Sequence, residues 1–109
     1  MAMDSLTDLY RVIQQRITQG DPAQSYTARL YHAGLDRILQ KVGEEAIEVL
    51  LAAKGQGRQR LIEEVADLTY HVLVLLAARG ITLEDILNEL RARERHTRTQ
   101  AQQAAHKGT

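Results

Sequence analysis

The sequence predicts an all-α protein that is built like a four-helix bundle and completed in a homo-oligomer. Apolar residues recur at helical spacing along most of the chain, and no segment alternates with period two for long enough to form a strand. The only proline, Pro22, and most of the glycines fall between the helical segments. A length of 109 residues suits one small domain with a single core.

The first helix is predicted to begin after Ser5 and to end at Gly20. Ser5 and Asp8 have the spacing of a capping box, and glycine commonly terminates a helix. The segment 21–34 contains Pro22 and a cluster of hydroxyl side chains, which favour turns. We therefore predict a loop there, with room for one short helical piece.

Three further helices are predicted after this loop. The second covers about residues 35–54 and the third about residues 58–79, joined by a short glycine-rich turn centred on Gln56. The fourth opens with a second capping-box spacing, from Thr82 to Asp85. Short connections of this kind place consecutive helices side by side in antiparallel order.

The predicted domain covers residues 1–96. Residues 97–109 are rich in Gln and Ala and contain no large apolar side chain. Such a segment has nothing to bury, so we expect it to fray or to be disordered.

Charge and composition restrict the partners. Lys and Arg together number 14, as do Asp and Glu, so no net field attracts nucleic acid or an anionic membrane. The longest apolar run, residues 72–78, is far shorter than the roughly 20 residues of a membrane span. The chain has no cysteine, and its first residues do not resemble a signal peptide. We expect a cytoplasmic protein that binds neither nucleic acid nor membrane.

Two of the predicted helices carry acidic residues within one sector of about 100°. These residues are Glu44, Glu45 and Glu48 on the second helix and Glu64 and Asp67 on the third. Glu45 and Asp67 lie equally far from Gln56 in sequence, and so do Glu48 and Glu64. If the helices fold back on each other at this turn, the two pairs face each other at adjacent levels.

Such a concentration of carboxylates is unfavourable unless a cation offsets it. Residues 43–53 and 61–78 contain no Lys or Arg, so we do not expect internal salt bridges to do so. A divalent metal ion is the simplest remedy, and all-oxygen ligands favour Mg²⁺ or Mn²⁺. Because substrate phosphates usually complete the shell of Mg²⁺, a nucleotide polyphosphate is the expected substrate. The alternative is that the acids form solvated stripes on amphipathic helices.

Six more residues are candidate substrate-binding positions. They are Lys41 and His71 beside the acidic sector, and Ser25, Tyr26, Thr27 and Arg29 in the predicted loop. Lys41 could contact phosphate or be an ordinary surface lysine, and His71 could bind substrate or be a partly buried structural histidine. The loop residues could bind phosphate or ribose, although turn residues need no such function.

The third helix is apolar around most of its circumference, which predicts a homodimer or larger homo-oligomer. The residues concerned are Leu68, Val72, Leu73, Leu75 and Leu76.

The paired acidic motifs resemble those of the all-α nucleotide pyrophosphohydrolases, a superfamily that includes MazG-like proteins and dimeric dUTPases. The chain is similar in more detail to the phosphoribosyl-ATP pyrophosphohydrolase family over about residues 6–95, and three segments carry this resemblance. They are Ser25-Tyr26-Thr27, Lys41-Val42-Gly43-Glu44-Glu45-Ala46-x-Glu48 and Glu64-x-Ala66-Asp67-Leu68-x-Tyr70-His71. The acidic motif alone specifies the superfamily, and the other segments favour this family.

The resemblance implies a Mg²⁺-dependent, homo-oligomeric helical enzyme of histidine biosynthesis. Its reaction would be hydrolysis of phosphoribosyl-ATP to phosphoribosyl-AMP and pyrophosphate. Glu45, Glu48, Glu64 and Asp67 would hold the metal, and Glu44 would orient or deprotonate the attacking water. Lys41 would stabilise phosphate charge.

Two other functions remain open at this point. The chain could be a house-cleaning nucleoside triphosphate pyrophosphohydrolase of the same superfamily. It could also be a non-catalytic helical module whose acidic faces bind a basic partner.

Overall fold

The structure, a computed structural model, describes residues 5–107, which form five α-helices. They are α1 (Ser5–Gln19), α2 (Tyr26–Ala33), α3 (Leu35–Gly55), α4 (Arg58–Ala78) and α5 (Leu83–Lys107). No strand occurs within this range, which confirms the all-α prediction. The helix beyond the predicted four is α2, the short piece expected in the first loop.

Helix α2 begins directly after Ser25, a residue type that commonly caps the N-terminus of a helix. Ser25 has an extended backbone, and its hydroxyl accepts a hydrogen bond from the Ala28 N–H at 3.2 Å. This bond satisfies one of the N–H groups that the first turn of a helix leaves without a partner. The helix ends at Gly34, whose φ of 104° suits glycine because no Cβ opposes it.

Helices α3 and α4 form an antiparallel hairpin that positions the acidic residues. The turn between them is Gln56–Gly57, as predicted, and Gly57 has a φ of 87°. The Gln56 N–H donates to the Ala52 carbonyl, and the Leu61 N–H donates to the Gly57 carbonyl. One helix therefore ends and the next begins within two residues, so α4 folds directly back along α3.

A small core lies where the first four helices meet. Its buried side chains are Tyr10, Ile13, Leu30, Ile38, Leu73 and Val74. The Tyr10 hydroxyl donates to the Ile81 carbonyl at 2.5 Å, which ties the segment before α5 to α1. Burial raises the pKa of Tyr10 above its ordinary value, and the negative charge of Asp85 adds to the effect.

The apolar residues expected to form an oligomer interface are partly used within the chain. Leu73 belongs to the core, and Leu75 and Leu76 pack against it. Large apolar side chains remain exposed chiefly on α3, where Ile47 and Leu50 are 57% and 68% exposed. The open apolar surface is therefore centred on α3 rather than on α4.

Helix α5 begins with the predicted capping box and packs against the core through Leu83 in its first turn, but its later turns are exposed. Thr82 and Asp85 exchange two hydrogen bonds, of 2.9 and 3.1 Å, between side chain and backbone N–H. Every side chain from 88 to 104 is exposed. The tail expected to fray is nevertheless helical up to Lys107, because Gln, Ala and Arg are good helix formers.

The predicted domain boundary at residue 96 falls inside the continuous helix α5. Residues 1–4 of the predicted domain and residues 108–109 of the predicted tail lie outside the described residues. Within the described range, no helix has both the length and the apolar character required to span a membrane. The cytoplasmic location stays a prediction.

Candidate metal centre

The α3–α4 hairpin brings together three of the four predicted metal ligands. Glu45, Glu64 and Asp67 each place a carboxylate oxygen within 4.8 Å of the other two. Glu48 lines the same cleft but does not belong to this group of three. Three oxygens at such short separations can contact one ion simultaneously, as hard divalent cations require.

The cleft around these oxygens is open, with a volume of about 540 Å³. Its lining consists of five carboxylates and two cations, namely Glu44, Glu45, Glu48, Glu64, Asp67, Lys41 and Arg60. Glu44 is half exposed at the side of the cleft and accepts a hydrogen bond from the Gln40 amide at 3.0 Å. The cleft therefore carries an excess of three negative charges before anything binds.

Internal ion pairs form in this cleft, but they offset only part of its charge, since five carboxylates face two cations. Lys41 Nζ lies 3.3 Å from Glu45 Oε1 and 3.7 Å from Glu44 Oε1. Arg60 Nη2 lies 2.7 Å from Glu64 Oε1, and Nη1 lies 3.3 Å from Glu63 Oε1. Both cations stand just before the segments that lack Lys and Arg, and their long side chains reach one helical turn into them.

Arg60 is the site residue that the sequence reasoning missed. The sequence pattern that indicates this residue is the i,i+4 spacing from Arg60 to Glu64. It matches the spacing from Lys41 to Glu45 on the facing helix. Glu64 is only 3% exposed, and a carboxylate that is so buried needs a counter-charge. Arg60 supplies one in the structure.

Lys41 is held in its charged form by the acids around it. Burial alone would lower its pKa, but the hydrogen bond to Glu45 and the negative charges of Glu45 and Glu44 outweigh it. The pKa therefore lies above the ordinary 10.5. The acids of the cleft thus favour the charged form of Lys41.

His71 is buried and does not line the acidic cleft. Its Nδ1 lies 2.7 Å from the Asp67 carbonyl oxygen, which can only accept, so Nδ1 carries a proton. In the neutral ring, Nε2 then accepts from the Tyr26 hydroxyl at 2.8 Å. His71 therefore connects the Tyr26 phenol to the helical turn that carries Asp67, which makes it a structural neighbour of a candidate metal ligand.

The other three loop candidates also have partners that stabilise α2. Ser25 caps the helix, and Thr27, only 2% exposed, shares a hydrogen bond with the Tyr70 hydroxyl on α4. Arg29 donates to the Pro22 carbonyl at 2.8 Å and lies over the Tyr26 ring. The structure brings none of these three side chains to the acidic cleft, and their predicted contacts with substrate stay predictions.

Comparison with known proteins identifies the family of the chain. Residues 6–94 match the family model described as phosphoribosyl-ATP pyrophosphohydrolase. A phosphoribosyl-ATP pyrophosphatase of Pyrobaculum calidifontis is 53% identical over 93 residues, which is 85% of this chain and 98% of that protein. Proteins of the same name from Pelotomaculum thermopropionicum and Listeria innocua are 56% and 55% identical, over 83% and 82% of this chain and 91% and 84% of their own lengths. The chain belongs to the phosphoribosyl-ATP pyrophosphohydrolase family.

Proposed function

We propose that this chain hydrolyses phosphoribosyl-ATP to phosphoribosyl-AMP and pyrophosphate, the second step of histidine biosynthesis, with Mg²⁺ or Mn²⁺ as cofactor. The observation that carries the proposal is the group formed by Glu45, Glu64 and Asp67 in a chain of this family. Relatives with about half of their residues in common bear the name of this activity.

The donors present fit a hard divalent cation. Every candidate ligand is a carboxylate oxygen, which is the donor that Mg²⁺ and Mn²⁺ prefer. After Lys41 and Arg60 are counted, the cleft keeps three excess negative charges. A divalent cation would remove most of this excess.

Glu45, Glu64 and Asp67 would hold the ion, with Glu48 beside them. When bound, such an ion supplies positive charge for the phosphate oxygens and makes a nearby water more acidic. Glu44 is the proposed base, because it lies at the side of the cleft with half of its side chain exposed. It would take a proton as the water oxygen bonds to phosphorus and the α–β anhydride bond breaks.

Lys41 has the proposed role of stabilising charge on the polyphosphate. Its ammonium already lies between two carboxylates at the cleft, and its raised pKa keeps it positive. Negative charge that develops on the departing pyrophosphate is stabilised most by cations fixed in place beforehand.

The test is pyrophosphate release measured across phosphoribosyl-ATP and the ordinary nucleoside triphosphates, with and without Mg²⁺. We expect the highest kcat/KM with phosphoribosyl-ATP and no turnover without a divalent cation. A preference for ordinary triphosphates would instead favour a house-cleaning enzyme. Absence of turnover together with absence of Mg²⁺ binding would favour a non-catalytic interaction module.

We also infer that two copies of the chain associate through α3. Leu39, Ile47 and Leu50 are exposed on one side of this helix, away from the acidic sector. Ile62 and Val65 of α4 are also exposed. A set of large apolar side chains at helical spacing on two adjacent helices is typical of a protein interface.

Light scattering after size exclusion tests the association. The parent chain should have a mass of at least two protomers, and Leu50→Glu should reduce it to one, because a buried carboxylate would oppose the contact. Leu90→Glu, at an exposed position of α5, is the matched control and should leave the mass unchanged. A monomeric parent chain would contradict the inference.

A further inference from the structure

Arg60 is the charged residue of the cleft that the proposed mechanism does not use. Half of its side chain is exposed, whereas the Glu64 carboxylate that it contacts at 2.7 Å is almost fully buried. Its second amino group reaches Glu63, which lies outside the cleft lining. The guanidinium therefore rests at the rim of the cleft, with one side against a candidate metal ligand and the other toward solvent.

This contact competes with a metal ion. A guanidinium and a divalent cation held by the same carboxylate repel each other, and the repulsion is strong where the carboxylate is buried. Glu64 also belongs to the group of three oxygens that would surround the ion. Binding of the ion therefore weakens the attraction that holds Arg60 in place.

Arg60 has the freedom to move when this attraction weakens. Its side chain is long and half exposed, and its backbone lies one helical turn before Glu64, near the start of α4. A planar guanidinium also matches the oxygens of a phosphate group, which it can bind through two parallel hydrogen bonds.

We propose that Arg60 is the counter-ion of Glu64 in the metal-free cleft and that it transfers to the substrate's polyphosphate once a divalent cation occupies Glu64. The proposal rests on the proposed metal site. It assigns Arg60 two successive partners, a carboxylate before the metal binds and a phosphate afterwards. Lys41 of α3 lines the same cleft and would contact the same polyphosphate.

The first test compares Arg60→Gln with Arg58→Gln. Arg58 is exposed on the same helix, but two residues turn the helix by about 200°, so its side chain points away from the cleft. Calorimetric titration without nucleotide measures Mg²⁺ affinity, and steady-state kinetics gives KM for phosphoribosyl-ATP. Circular dichroism checks that each variant folds.

Arg60→Gln should bind Mg²⁺ roughly threefold to tenfold more tightly than the parent chain, because the competing cation is gone. Its KM should rise by at least a similar factor, because the phosphate contact is lost. Arg58→Gln should change neither value. Unchanged or weaker Mg²⁺ affinity in a folded Arg60→Gln protein would overturn the proposal.

A second measurement uses the parent chain and does not depend on a variant that folds. Phenylglyoxal modifies exposed guanidinium groups, and mass spectrometry of the peptides locates the modified arginines. Mg²⁺ should increase modification of Arg60, and added pyrophosphate should then protect it, while Arg58 reacts equally throughout. Arg60 reactivity that is indifferent to Mg²⁺, in a chain shown to bind Mg²⁺, would contradict the transfer.

The two proposals can fail separately. If the parent chain binds no divalent cation, the metal site itself is wrong, and the Arg60 proposal falls with it. If the parent chain binds Mg²⁺ and only the Arg60 results disagree, the metal site stands and the role of Arg60 is wrong.

Discussion

Helix α4 contributes to two polar clusters. One carries an excess of negative charge, whereas the polar groups of the other have hydrogen-bond partners. On one side, Glu64 and Asp67 join Glu45 in an open cleft that carries more negative charge than its two cations offset. On the other side, Tyr70 and His71 form hydrogen bonds with the side chains of Thr27 and Tyr26 of α2. Among the described residues, every buried polar side-chain atom has a partner.

This difference separates a ligand site from a structural one. A cluster with excess charge costs free energy until a ligand neutralises it, so its residues should affect activity more than stability. A buried cluster whose polar groups all have partners stabilises the folded state, so loss of one of its members should lower stability before it affects activity. Mutations in the two clusters should therefore have opposite effects, and mutations at the caps of α2 and α5 should have smaller ones.

Removal of a charge from the acidic cleft should nearly abolish activity. Glu45→Gln and Asp67→Asn should each lower kcat/KM for phosphoribosyl-ATP by roughly a hundredfold to a thousandfold, because each removes a proposed metal ligand. The melting temperature of Asp67→Asn should stay the same or rise, since this mutation relieves repulsion between carboxylates. Glu89→Gln, exposed on α5, is the control. A variant with parent-like activity would show that the acidic group is not the site.

Removal of the Thr27 hydroxyl should have the opposite effect. Thr27→Val keeps the shape of the side chain but deprives the Tyr70 hydroxyl of its partner in a buried position. We expect a loss of about 1–3 kcal/mol in the free energy of unfolding, measured with urea, and little change in kcat. Thr18→Val, on the exposed face of α1, should change stability by less than about 0.5 kcal/mol. A Thr27→Val enzyme that is stable but inactive would place Thr27 in the substrate site.

Removal of the α2 cap should cost somewhat less. Ser25→Ala deletes the hydroxyl that accepts from the Ala28 N–H, for an expected loss of about 1 kcal/mol. In a chain of this size, that corresponds to a fall of roughly 4–8 °C in the melting temperature. Ser25→Thr retains a capping hydroxyl and should recover part of the loss. A larger effect on KM than on melting temperature would instead support the predicted contact with substrate.

The smallest effect concerns the cap of α5 and depends on pH. Hydrogen bonds from the backbone and side chain of Thr82 lower the pKa of Asp85 below its ordinary value of 3.8. The charged form is thus favoured by folding, so the stabilisation is present above pH 3.8 and disappears as the pH falls through the folded-state value.

Asp85→Asn should therefore lower the melting temperature slightly at pH 7 and leave it almost unchanged at pH 2. Thermal melts at the two pH values provide the measurement. Glu89→Gln, beyond the first turn of the same helix, should show a smaller difference. An equal loss at both pH values would mean that the charge of Asp85 contributes nothing.

The acidic cleft could be predicted from the sequence because the spacing of residues along a helix determines the face on which they lie. Once Gln56 is recognised as the turn, the register of Glu45, Glu64 and Asp67 follows from the regular rise and rotation of two helices. The ion pair of Arg60 was accessible in the same way, through its i,i+4 spacing to Glu64. Arg60 stands one residue before the segment 61–78 that lacks Lys and Arg, so the composition of that segment does not indicate the pair.

The α2 cluster was not accessible in this way. Tyr26 meets His71, and Thr27 meets Tyr70, across more than 40 residues of sequence. Those pairs depend on how a short helix after an irregular loop packs on α4, and no local periodicity specifies that packing. The same residues supported the family resemblance, yet their contacts in the structure are those of a helix cap and a buried polar network.

The proposed metal site is tested most directly by a calorimetric titration of Mg²⁺ into the metal-free parent chain and into Asp67→Asn. The parent chain should bind Mg²⁺ saturably. The Mg²⁺ affinity of Asp67→Asn should be at least roughly tenfold weaker, because one proposed ligand of the ion has lost its charge. Equal binding by the two proteins, or none by the parent chain, would contradict the proposed metal site.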